Sequence, residues 1–136
     1  MRYALALVAM LAAAPAAAQQ FTTAAEVKPI LEATRANWVA VREFDGKDLV
    51  YFTQILSWRC GLTSLQVSVN SAATDTVFPL EPCHEGTAQP NAMVDAGYLP
   101  YAEAPLGSVQ SVSVLIGLDD GTYLTGSFQR AQVLMP

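Results

Sequence analysis

Residues 45–46 read Asp-Gly, with apolar alternation on either side. Before the pair, Trp38 to Phe44 sends Val39 and Val41 one way and Arg42 and Phe44 the other. A two-residue hairpin turn needs positive φ at both central positions, and Asp-Gly is one of the pairs that adopts it at little cost. The register then sets Val41 opposite Val50, Val39 opposite Phe52 and Glu43 opposite Asp48. The last is a like-charge conflict that a longer Asp-Gly-Lys-Asp loop would avoid.

From Leu49 to Trp58 the chain is apolar on both faces, which predicts a central strand covered on both sides. Thr53 and Gln54 alone interrupt it, and they read as core polar groups with partners. Arg59-Cys60-Gly61 reads as a bend. Leu65, Val67 and Val69 then alternate with Gln66, Ser68 and Asn70, as a half-buried strand does. A second hairpin lies further on. Val112, Val114, Ile116 and Leu118 line one face, and Thr122 to Phe128 returns. A three-residue Asp119-Asp120-Gly121 loop sets Ile116 opposite Leu124, Val114 opposite Gly126, Val112 opposite Phe128 and Leu118 opposite Thr122. Only that register gathers the apolar side chains on one face. It also places Gly121 at the left-handed position of a type I turn with a G1 bulge. After Arg130 the phase slips by one residue, which predicts a bulge near Gln129–Arg130.

Ahead of the first hairpin, Thr23-Ala24-Ala25-Glu26 has the form of a capping box. Val27, Ile30, Leu31 and Thr34 recur at helical spacing, so a helix is expected over 23–36, kinked or restarted at Pro29. Further upstream, Arg2 precedes an apolar run, Ala4–Ala14, that ends at Pro15 and Ala16-Ala17-Ala18. This is the pattern of a secretory signal peptide, residues 1–18, cut before Gln19. The run falls short of the ~20 residues that span a bilayer. No later stretch reads as a membrane span, so residues 19–136 are expected to form one soluble domain, periplasmic or secreted. In that setting Cys60 and Cys83 read as a disulfide worth ~3 kcal/mol. A redox or metal pair would favour C-x-x-C spacing, which is absent. A net charge of −5 disfavours nucleic acid as a partner.

Residues 71–107 contain five of the eight prolines and read as an irregular, ordered excursion over the sheet. Phe78, His84, Tyr98 and Tyr101 form its candidate binding surface, either as a binding loop or as a lid completing the core. His84, beside Cys83 and Glu85, looks like a ligand cluster, but zinc wants three or four ligands and a disulfide removes the thiols. There is no nucleophile elbow, P-loop or dinucleotide fingerprint, and Asp119-Asp120 lacks the calcium-loop spacing. The residues thus nominate no catalytic, cofactor-binding or metal site, and no cofactor.

The stretches VREFDGKDLVYFTQILSWRCGL and APLGSVQSVSV, with EPCHE between them, resemble a group of short exported bacterial proteins of uncharacterised function. The resemblance implies one folded unit with both cysteines in place and transfers no activity. The expected fold is α+β: an N-terminal helix packed on a mainly antiparallel sheet of about five strands, with one disulfide. A small all-β barrel or sandwich with a peripheral helix is the alternative. The functions in view are a non-catalytic periplasmic binding or inhibitor-like module, a structural or accessory cell-envelope protein, and a small enzyme without a recognisable motif. The corresponding partner is a periplasmic protein or a small ligand.

Overall fold

Thr23 opens the first helix as its capping signal predicts. In the computed structural model, which describes residues 20–136 and Ala9, the Thr23 hydroxyl accepts from the Glu26 amide. The Glu26 carboxylate in turn accepts from the amides of Phe21 and Thr22. The signal peptide and its cleavage before Gln19 lie outside the described residues. Helix α1 spans Ala24–Ala33, runs through Pro29, and buries Ala24, Val27 and Leu31. It is not N-terminal, since residues 1–23 precede it, and it is accompanied by shorter helices. Asp119, from the distant C-terminal turn, accepts from the Ala24 amide at 2.8 Å and ties the helix start to the sheet.

Two antiparallel sheets stand where one of about five strands was expected. The first is three-stranded, ordered β1 (Ala40–Phe44), β2 (Lys47–Tyr51), β5 (Tyr101–Pro105). The second is four-stranded, ordered β4 (Thr76–Val77), β3 (Leu62–Val69), β6 (Ser111–Leu118), β7 (Tyr123–Gln129). The difference arises at Leu49–Trp58, which is not one strand. The chain leaves β2 after Tyr51, makes the short helix α2 (Thr53–Leu56) and a 3₁₀ turn (Arg59–Gly61), and enters the other sheet. Phe52, Ile55 and Leu56 sit at helical spacing, and all three are buried. The irregular segment is also less irregular than expected, because it contributes β4 and β5. The predicted bulge at Gln129–Arg130 is instead a helical turn, α3 (Arg130–Val133), with Gln132 accepting from the Gln129 amide.

Both hairpin turns form. Asp45 and Gly46 have φ of 51° and 73°, and Phe44 pairs with Lys47 across a two-residue turn. Val41 faces Val50, while pairing ends at Ala40–Tyr51, so Val39 and Phe52 are not strand partners. Glu43 does face Asp48. Arg130 resolves the conflict, reaching Glu43 at 2.7 Å and Asp48 at 2.6 Å. The Asp48 side chain is fully buried and also accepts from the amides of Gly107 and Val109. Its hydrogen bond to Arg130 and these amides outweigh burial, holding the carboxyl well below the usual range.

In the second hairpin Ile116 pairs with Leu124, Val114 with Gly126 and Val112 with Phe128. The Leu118 amide donates to the Thr122 carbonyl, and Gly121 has φ of 83°. A Cβ on Gly121 would meet nothing within 4 Å, so only the backbone forbids it. Gly121→Val is therefore expected to lose about 1–2 kcal/mol in urea denaturation, and Gly121→Asn less, because asparagine tolerates the left-handed region. Equal stability of all three proteins would refute this strain.

The inner faces of both sheets share one core with α1 and α2, including Val27, Leu31, Val41, Val50, Phe52 and Ile116. Trp38 donates its indole N–H to the Leu31 carbonyl at 2.8 Å and packs edge-on to Phe128. Cys60 and Cys83 form the disulfide, which links the start of β3 to the excursion. No helix among the described residues is long and apolar enough to cross a membrane.

Candidate functional site

The excursion is held by one buried guanidinium. Arg59 projects from the 3₁₀ turn that precedes β3 and is 3% exposed. Its Nε donates to the Glu81 carbonyl at 2.6 Å, Nη1 to the Asn91 carbonyl at 2.6 Å, and Nη2 to the Ala92 carbonyl at 2.9 Å. Nη2 also meets the Glu81 carboxylate at 3.2 Å. With the longer contacts to Leu56 and Pro82, all five guanidinium donors are engaged. Glu81, equally buried, accepts from the Asp95 amide at 3.0 Å, the Val94 amide at 3.3 Å and the His84 ring at 2.5 Å. Burial opposes ionisation of Glu81, but His84, the two amides and Arg59 together hold its carboxyl below the ordinary value. Asn91 completes the fastening, accepting from the Cys60 amide and donating to the Phe21 carbonyl, both at 2.8 Å.

This frame supports a cleft of about 380 Å³ between α2 and residues 93–100. Thr53 and Leu56 line it from α2; Met93, Val94, Tyr98 and Leu99 line it from the excursion. Those four remain 44%, 73%, 37% and 54% exposed. The volume lies in the range of small-molecule sites, and the lining is predominantly apolar.

The nominated residues divide. Tyr98 lines the cleft, and His84 reaches it through Glu81. Phe78 is buried edge-on to Phe52 at 4.9 Å, a core residue rather than a surface one. Tyr101 lies on β5, beside Tyr51 at 5.2 Å. The sequence reading passed over Arg59 and Glu81. Their signal was present: opposite charges lie next to Cys60 and two residues before Cys83.

No protein-family model matches this chain, and no match was found among curated proteins or solved structures. The chemistry of the cleft must be read from its own groups. Arg59 has no donor left for a ligand, and the two Glu81 oxygens are already met by four groups. Among the described residues no three His, Cys, Asp or Glu side chains gather as a metal site would need. Beside Thr53 and Asp95, the groups that the cleft leaves free are mainly apolar. Reduction of Cys60–Cys83 is expected to lower stability by about 3 kcal/mol in urea, with amide exchange rising first in residues 81–95. An unchanged midpoint would show that Arg59 alone suffices.

Proposed function

We propose that this protein is a non-catalytic, exported binding or inhibitor-like module whose binding site is the cleft between α2 and residues 93–100. One observation carries the reading: four large apolar side chains, Met93, Val94, Tyr98 and Leu99, are held partly in solvent on a segment fixed by Arg59, Glu81 and a disulfide. An apolar surface that folding leaves exposed marks an interaction site. Fixing it beforehand lowers the ordering cost of binding. The leader pattern of residues 1–18 and the disulfide support a periplasmic or secreted location.

Indole, a neutral apolar probe, tests the site. Titrated into labelled protein, it is expected to shift the amide resonances of Thr53, Leu56, Val94 and Leu99, and Met93→Asp should abolish those shifts. Shifts that scatter over the surface, or survive in Met93→Asp, would refute the assignment.

A further inference from the structure

Each sheet has two edges, and among the described residues three of these four are short or have some of their outward backbone groups taken. At β1, the Met135 amide donates to the Val41 carbonyl at 2.8 Å, and Leu134 bridges Val41 in parallel. At β7, Arg35 stacks on Trp38 and donates to the Thr125 carbonyl, and Gln132 occupies the Gln129 amide. β4 is two residues long. β5 is different. Phe52 donates to the Pro100 carbonyl, so Pro100, Ala102 and Ala104 turn their backbone groups toward β2. By alternation Tyr101 and Glu103 turn theirs outward. No described group outside the strand bonds to the amide or carbonyl of either residue. The edge's guards are Pro105, which has no N–H, and the charged pair of Glu103 with Lys47 at 2.9 Å, neither of which occupies the outward backbone groups of Tyr101 and Glu103. An open edge is a template for another strand.

We propose that the free edge of β5 takes an extended peptide segment of another protein as a further strand, and that the cleft receives one apolar side chain of that segment. The proposal rests on the cleft reading above and adds the class of occupant. Tyr98, Leu99 and Pro100 line the cleft and lead directly into β5, so edge and cleft adjoin. Main-chain hydrogen bonds along an edge give affinity, and a pocket for a side chain gives selectivity.

The rows of the sheet define what the segment carries. Arg42, Leu49 and Glu103 form one cross-strand row, and Ala40, Tyr51 and Tyr101 form the next on the same face. An added strand places a residue directly opposite Glu103, where a basic side chain would share the carboxylate with Lys47, and another opposite Tyr101, where an aromatic or β-branched one is favoured. The net charge of −5 has the same preference for a basic partner. A second copy fits poorly. Antiparallel β5 strands paired about Glu103 would set two glutamates face to face, and would put Pro105, which lacks a donor, opposite Tyr101.

The probe is a short capped peptide of alternating valine and lysine ending in leucine. Its controls are a valine–glutamate counterpart and a copy N-methylated on alternate amides. The lysine peptide is expected to bind and to slow amide exchange at Tyr101 and Glu103, with the methylated copy weaker by about tenfold or more. Glu103→Pro removes an outward N–H that the ladder does not use, so the fold should survive and indole should still shift the cleft resonances. That variant should lose the lysine peptide, and Glu103→Lys should prefer the glutamate one. Unchanged lysine-peptide binding by Glu103→Pro, or unchanged exchange at the two amides, overturns the proposal. Indole binding without peptide binding leaves the cleft standing and removes the edge; failure of both removes both. Self-association that disappears in Glu103→Pro would overturn the peptide in favour of a second copy.

Discussion

Arg59→Ala is expected to destabilise the protein by about 3–5 kcal/mol, read as a lower urea midpoint at neutral pH. The loss has two sources. Carbonyls of Glu81, Asn91 and Ala92 lose their donor in a place where water enters poorly. The buried Glu81 carboxylate loses its neighbouring positive charge. Removing one member of a buried pair costs more than the pair contributes net, because the remaining charge stays desolvated. Arg59→Lys keeps the charge but not the planar fork that reaches several carbonyls at once, so it should recover only a minor part of the loss. A loss below about 1 kcal/mol for Arg59→Ala would place Arg59 among ordinary surface pairs and remove the frame under the cleft.

Asp48→Ala should cost about 3 kcal/mol by the same logic at the other end of the first sheet. It strips the acceptor from the Gly107 and Val109 amides and from Arg130. The pH dependence gives a second readout. Because the folded carboxyl lies below its unfolded value near ~4, its contribution is complete above that value and is lost as the pH falls through the folded one. Glu81 is lowered in the same direction and adds to the acid loss. Urea midpoints of the wild type should fall more steeply below about pH 4 than those of Asp48→Asn, which has no proton to gain there. Parallel curves would refute the linkage.

Both hairpins were legible because their information is local. Asp45-Gly46 supplies two positive φ angles, and the facing of Ile116, Val114 and Val112 against Leu124, Gly126 and Phe128 leaves one register. Residues 52–58 read as strand because Phe52, Ile55 and Leu56 satisfy a buried strand and a helical turn equally, while the bend at Arg59–Gly61 is present as expected. That misreading alone turned two sheets into one. β5 was invisible for a different reason. Tyr-Ala-Glu-Ala-Pro has little intrinsic strand preference, and its pairing is imposed by β2, far away in sequence. The cleft was half legible. A proline-rich excursion with tyrosines marked the right region, but Phe78 there fills the core, and the burial of Arg59 and Glu81 is a tertiary property that no local pattern carries.

Arg130 gives the fold a temporal asymmetry. The β1–β2 hairpin joins near neighbours and closes fast in isolation, on the order of microseconds. Yet it sets Glu43 against Asp48, and the cation that balances them lies more than eighty residues downstream, at a separation of 82 from Asp48. A chain appearing N-terminus first therefore carries that repulsion until Arg130 is out. Nascent chains stalled before and after Arg130 should differ in protease resistance at residues 40–51, and equal resistance would refute the delay. An element that closes early is thus balanced only late, when Arg130 has been made and can reach Glu43 and Asp48.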